Sequence, residues 1–142
     1  MPGICRLNFF ACGLVTLIAF SGCGSSGPRT YRIPGKLVYD DGTPVTGASV
    51  VLQTTVKDQA VVARGMATPD GKFELSTFKE GDGVVAGEHQ VSISPVPIPE
   101  GTKPLGPPVP SQYWDFSTSQ LTTSITPQTP EIVITLARGG KK

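Results

Sequence analysis

After residue 30, glycines and prolines break the chain into runs too short and too evenly alternating to be helices. The sequence holds 17 glycines and 14 prolines, most of them in this part. In a helix interior glycine costs about 1 kcal/mol and proline about 3 kcal/mol relative to alanine. No stretch beyond residue 30 keeps apolar residues at three- and four-residue spacing over three turns. What remains between the breaks is the period-two pattern of half-buried strands.

The first run, Tyr31–Tyr39, ends at Asp40-Asp41-Gly42, where glycine can supply positive φ. Ala48–Thr54 sets Ala48, Val50 and Leu52 against Ser49, Val51 and Gln53. Val61–Thr68 leads through Pro69-Asp70-Gly71 into Lys72–Thr77, the signature of a tight hairpin, with Phe73 and Leu75 on one face. After a loop over 78–87, Glu88–Ser94 places His89, Val91 and Ile93 together. Thr122–Thr126 and Ile132–Leu136 complete a set of seven runs, and Arg138–Lys142 is a polar tail. Short strands at this spacing predict one all-β domain over 31–137, a seven-stranded antiparallel β-sandwich with its sheets about 10 Å apart.

The first 22 residues follow a different rule. Arg6 is the only charge before an apolar run from Leu7 to Phe20, and the small residues Ser21 and Gly22 precede Cys23. That is the order of a secretory signal, and the run falls short of the roughly 20 apolar residues a spanning helix needs. Phe20-Ser21-Gly22-Cys23 resembles the lipobox of bacterial lipoproteins, although Phe20 stands where leucine is usual. The resemblance implies cleavage before Cys23, acylation of that cysteine, and a membrane-lipid anchor in the cell envelope. Gly24 after the cysteine implies the outer membrane in that family. Residues 23–30 then form a lipidated Gly/Ser-rich tether.

Cleavage would remove Cys5 and Cys12 and acylation would occupy Cys23, so the expected mature domain has neither a disulfide nor a cysteine-based metal site or nucleophile. Twelve Lys plus Arg face 11 Asp plus Glu, and losing Arg6 would leave 11 against 11. Without a basic stripe, nucleic acid is not an expected partner.

His89 is the only histidine. Catalysis would require a nucleophile or carboxylate beside it, and a metal two or three further ligands. A strand residue on the inner face is the better reading. Asp40, Asp41, Asp70 and Asp82 stand singly or paired beside glycines, as turns require, not at the alternating spacing of a calcium loop. No catalytic residue, cofactor or metal is therefore assigned.

The least expected feature is the proline-rich segment from Pro95 to Pro110. Its prolines favour an extended polyproline II path. Pro97, Pro99, Pro104, Pro107 and Pro108, with the following aromatics Tyr113 and Trp114, are the candidate partner-binding residues. The competing reading is a stiff crossover with the two aromatics covering one end of the core. A glycan partner would require coplanar aromatics; among Tyr113, Trp114 and Phe116, strand alternation would point Trp114 away from the others.

Gly35-Lys36-Leu37-Val38-Tyr39-Asp40-Asp41-Gly42-Thr43-Pro44-Val45-Thr46-Gly47-Ala48-Ser49-Val50 resembles the opening of carboxypeptidase regulatory-like, transthyretin-like domains. Ala67-Thr68-Pro69-Asp70-Gly71-Lys72-Phe73-Glu74-Leu75 is similar to their central hairpin, and Gly87-Glu88-His89-Gln90-Val91-Ser92-Ile93 to a later strand. Tyr113 and Thr118–Thr122 resemble the C-terminal part of short lipoproteins with this domain. The resemblance spans 33–137 and implies a prealbumin-like sandwich acting as an accessory module. His89 stands where an aromatic is usual and Pro69 where an acid is usual. The hydroxyisourate hydrolases share that fold but depend on several histidines and a Tyr-Arg-Gly-Ser ending, which one histidine and Leu136-Ala137-Arg138-Gly139-Gly140 do not supply. The expectation is a non-enzymatic, lipid-anchored envelope protein that binds an envelope protein or glycan, or serves as a structural coat.

Overall fold

The computed structural model describes residues 27–138, so the expected signal peptide, Cys23 and the first part of the tether lie outside the described residues. The described chain is mostly β, arranged in facing sheets around one core. Its strands are β1 Thr30–Tyr31, β2 Gly35–Tyr39, β3 Ala48–Val56, β4 Gln59–Met66, β5 Lys72–Phe73, β6 Val84–Val85, β7 Gly87–Pro95, β8 Leu121–Ile125 and β9 Ile132–Leu136. A 3-10 turn, Ser111–Tyr113, and one helical turn, α1 Phe116–Ser119, separate β7 from β8.

One layer is a four-stranded antiparallel sheet in the order β4-β3-β7-β8. The other is β5-β2-β9, with the two-residue pair β1–β6 beside it. Alternation decides which side chains meet between them. Val50 and Leu52 of β3, Ile93 of β7, Leu37 of β2 and Leu136 of β9 are fully buried in one cluster. His89 lies on the same face of β7 as Val91 and Ile93, as the alternation requires.

Three features differ from the sequence expectation. The run 31–39 is split at Pro34, which has no N–H for a ladder, giving β1 and β2. The loop over 78–87 contains β6, which closes on β1 through Thr30↔Val85 and Tyr31↔Val84. The sandwich is also not wholly antiparallel: β2 and β9 run parallel from Gly35↔Ile132 to Tyr39↔Leu136. The rest of the domain forms the long crossover that a parallel pair requires.

The turns explain the register. Lys57 and Asp58 both have positive φ, 48° and 62°, the geometry of the two-residue hairpin loop that matches strand twist. At Pro69-Asp70-Gly71 the Gly71 N–H donates to the Thr68 carbonyl at 2.8 Å, and the Thr68 N–H to the Lys72 carbonyl at 2.8 Å. Gly71 takes φ 77°, so the turn forms as read, but the expected hairpin does not: β4 pairs with β3, β5 with β2, and β5 stops at Phe73. Beyond the turn the chain changes layers, and only Ser76 returns to β4, bridging Arg64.

That corner depends on Gly65. A Cβ there would collide with the Glu74 carbonyl oxygen, which belongs to backbone and cannot swing aside. Gly65→Ala should therefore lower the urea midpoint by the equivalent of about 1–3 kcal/mol, as overpacking does. Alanine at Gly27, where nothing lies within 4 Å, should leave that midpoint unchanged.

Candidate functional site

The four-stranded sheet has two ends, and the proline-rich strap belongs to only one. At one end Gly87 pairs with Ile125, and the β3–β4 hairpin turns at Val56↔Gln59. Residues 27–30 lie at this end, because β1 pairs with β6 immediately before Gly87. At the other end Ala48 pairs with Pro95, and the strap departs.

The C-terminal half of the strap is held by this chain's own aromatic residues. Tyr39, the last inward residue of β2, is buried and donates its hydroxyl to the Pro107 carbonyl at 3.0 Å and the Pro108 carbonyl at 3.3 Å. Val109 sinks into the core, and the Trp114 indole N–H donates to its carbonyl at 3.1 Å. Pro110, at φ −58° and ψ 137°, keeps the polyproline II conformation expected of the segment. Tyr113 follows in the 3-10 turn, its ring in the core and its hydroxyl accepting the Ala137 N–H at 3.0 Å.

The stretch before Gly106 is tied to the body only at its start, and a turn of its own folds it further on. The Val96 N–H donates to the Gly47 carbonyl at 2.9 Å, and the Thr102 N–H closes a turn onto the Pro99 carbonyl at 3.1 Å. Pro97, Pro99 and Pro104 are exposed, as are Ile98 and, most fully, Leu105 at 78%. Behind them is a mostly apolar cleft of about 230 Å³ lined by Thr46, Pro95, Ile98, Leu105 and Val109. The Thr46 hydroxyl is buried there without a hydrogen-bond partner, and a Cβ at Gly106 would lie 2.8 Å from it. An unpaired hydroxyl costs about 1–3 kcal/mol, so the closed strap carries an electrostatic penalty at this point.

The candidate residues thus divide. Pro97 and Pro99 are exposed outside the cleft, whereas Pro104, Pro107 and Pro108 line it, the last two with their carbonyls engaged by Tyr39. Tyr113 is an internal clasp. Trp114 is half-exposed, with its N–H already used. The helical turns replace the extended path assumed for 113–116, so strand alternation does not govern those aromatics.

Sequence reasoning missed Tyr39 and Arg138. The guanidinium of Arg138 sits 5.1 Å from the Tyr39 ring centre and pairs with Asp41 at 2.7 Å. Tyr39 had a signal: an inward-facing phenol needs an acceptor, and proline carbonyls are acceptors without a competing N–H. Arg138, placed in a polar tail, had none.

The remaining titratable groups perform structural tasks. The Asp82 carboxylate accepts the N–H groups of Thr77 at 2.7 Å, Phe78 at 3.0 Å and Lys79 at 3.0 Å. Burial pushes its pKa upward, but those three donors outweigh it and hold the carboxyl below its ordinary value. Asp41 is lowered chiefly by the Thr43 N–H, and Asp70 by the Thr68 hydroxyl. Among the described residues no group of three or more His, Cys, Asp and Glu side chains is arranged to hold a metal. A larger hollow of about 730 Å³ beside β5 includes Met66 and Phe73, and its Lys72 pairs with its Asp70 at 3.3 Å. It lacks a buried polar group that would orient a ligand.

No family model, curated protein or solved structure matches the chain.

His89 provides a pH test of this packing. It is 2% exposed, its Nδ1 lies 3.0 Å from the Gly87 carbonyl, and burial lowers its pKa below the ordinary 6.5. The unfolded chain then binds a proton that the folded chain resists, so stability falls as pH drops through about 6.5 toward the lowered folded value. Urea midpoints measured between pH 7.5 and 5.5 should decline, and His89→Gln should flatten that slope. The lowered carboxyls act only in a more acidic window, below about 4.

Proposed function

We propose that this chain is a non-enzymatic, lipid-anchored protein of the bacterial envelope, with acylated Cys23 in the outer membrane. Its carboxypeptidase regulatory-like, transthyretin-like sandwich acts as a binding module for another envelope protein. The observation that carries this reading is the unequal fastening of the strap. Its end, Pro107–Val109, is fixed by Tyr39, the core and Trp114, while the stretch before it leaves Ile98 and Leu105 outward over an apolar cleft. Fixing one half gives the other a defined place, and pre-ordered segments lose less entropy on binding.

The position of the strap supports the same reading. It occupies the end of the four-stranded sheet opposite the entering tether. Over the nine residues of β7 that separation is about 30 Å. A glycan reading has less support, because Tyr113 is in the core and does not join Trp114 in an exposed aromatic platform.

Two experiments on the full chain in cells test the proposal. Cys23→Ser should move the protein from the membrane fraction to the soluble envelope fraction; retention in the membrane would remove Cys23 as the anchor. In-cell crosslinking should recover a recurrent protein partner that is lost with Ile98→Lys plus Leu105→Lys. Both side chains are exposed, so the fold should tolerate the change. A partner list indifferent to that pair would return the strap to a plain connection and favour a structural coat.

A further inference from the structure

The ladder between β2 and β5 stops after two residue pairs. Gly35 pairs with Phe73, but Pro34 has no N–H with which to continue toward Glu74. From there the two chains take different partners. The residues before Pro34 form β1 and pair with β6, while Ser76 crosses to Arg64 of β4. The Gly83 N–H closes the far side of the split by donating to the Leu75 carbonyl at 3.0 Å.

The split leaves a cavity of about 330 Å³. Ile33 and Leu75, both buried, form its apolar inner wall, and Gly81 and Gly83 add no side chain to fill it. A Cβ at Gly83 would strike the Tyr31 carbonyl oxygen, so no larger residue can close the cavity there. Its mouth carries one exposed charge of each sign, Arg32 after β1 and Glu74 after β5. Among the described residues the ion pairs are Lys72–Asp70 and Arg138–Asp41, so Arg32 and Glu74 share the cavity without neutralising each other. The larger hollow beside β5 adjoins it, since Pro34 and Glu74 line both. In that hollow Lys72 and Asp70 cancel, and the carboxylates of Glu74 and Glu131 remain.

We propose that this cavity binds a short peptide with both ends free, its carboxylate on Arg32 and its ammonium on Glu74. An apolar wall with a few convergent polar groups is the usual form of a small-molecule site, and this volume lies at the lower end of that range. The Arg32 guanidinium presents the planar fork that matches a carboxylate, and an ammonium brings three donors to the Glu74 acceptor. An aliphatic side chain between the two ends packs on Ile33 and Leu75. A simple anion would be repelled by Glu74 and a simple cation by Arg32, so the pair selects a ligand that carries both charges. The adjoining hollow, with Glu131 beyond Glu74, gives the amino end room to extend on the side where acid is in excess. No lining residue of the cavity belongs to the strap, and the site is independent of the proposed function.

Titrating the isotope-labelled full chain in mild detergent with alanyl-leucine, followed by amide NMR, tests it. The Gly81 and Gly83 signals should shift saturably, with half-saturation at about 1 mM, an ordinary affinity for a probe of that size. N-acetyl-alanyl-leucine and alanyl-leucinamide each lack one charge and should bind about tenfold more weakly. Arg32→Gln should erase the preference for the free carboxylate, and Glu74→Gln the preference for the free ammonium. Both side chains are exposed, so the rest of the spectrum should stay in place. Lys103→Gln on the strap should leave the titration unchanged. The proposal is overturned if neither glycine signal responds at about ten times the expected half-saturation, or if the capped peptides bind as tightly as the free one. It is equally overturned if both preferences survive in the two variants.

Discussion

The parallel ladder between β2 and β9 is the contact on which the rest of the domain depends. It lays the first long strand of one layer against the last strand of the chain, so everything between them must return to close it. Its five residue pairs end at Tyr39↔Leu136, and that end gathers groups far apart in sequence. Tyr39 reaches the Pro107 and Pro108 carbonyls, Tyr113 receives the Ala137 N–H, and Arg138 lies over the Tyr39 ring. Loosening this ladder would release the core and the strap together, because the same few residues serve both.

Much of this architecture was legible because strand faces announce themselves. Val50 and Leu52, Phe73 and Leu75, and Val91 and Ile93 occupy alternate positions, and all six are buried where the alternation puts them. Pro69 and Gly71 likewise declared their turn. Less local features were silent. Lys57-Asp58 is an uncommon pair for a loop with two positive φ values, so the longer β3–β4 hairpin could not be read from its turn. The β1–β6 pair is two residues long and carries no periodicity. The parallel direction of β9 is set by which neighbour has a vacant edge, a property of the assembled layer that no window of sequence contains.

The strap was half-legible for a related reason. Proline composition gave the polyproline II conformation seen at Pro110, but not the turn at Pro99–Thr102, and composition cannot say which carbonyls will be used. That followed only when Tyr39 and Trp114 were seen to donate to Pro107, Pro108 and Val109. The aromatic residues that looked like a binding surface proved partly to be the clasp. The surface they leave is aliphatic, formed by Ile98 and Leu105.

How a connection from Pro95 to Pro110 can hold a shape with so few bonds is an entropic question. Each proline restricts φ in the unfolded chain as well as the folded one, so ordering the segment costs less than ordering the same length of ordinary residues. A handful of fixed points then suffices: Gly47 at the start, Pro99–Thr102 in the middle, and Tyr39 with Trp114 at the end. The same stiffness explains the tolerated Thr46 hydroxyl. Its unpaired oxygen opposes closure at one point, while the proline-stiffened chain and the buried Val109 hold the strap down on either side. Replacing these prolines with flexible residues would leave every one of these bonds geometrically available and still weaken the strap, because what is lost lies in the unfolded ensemble.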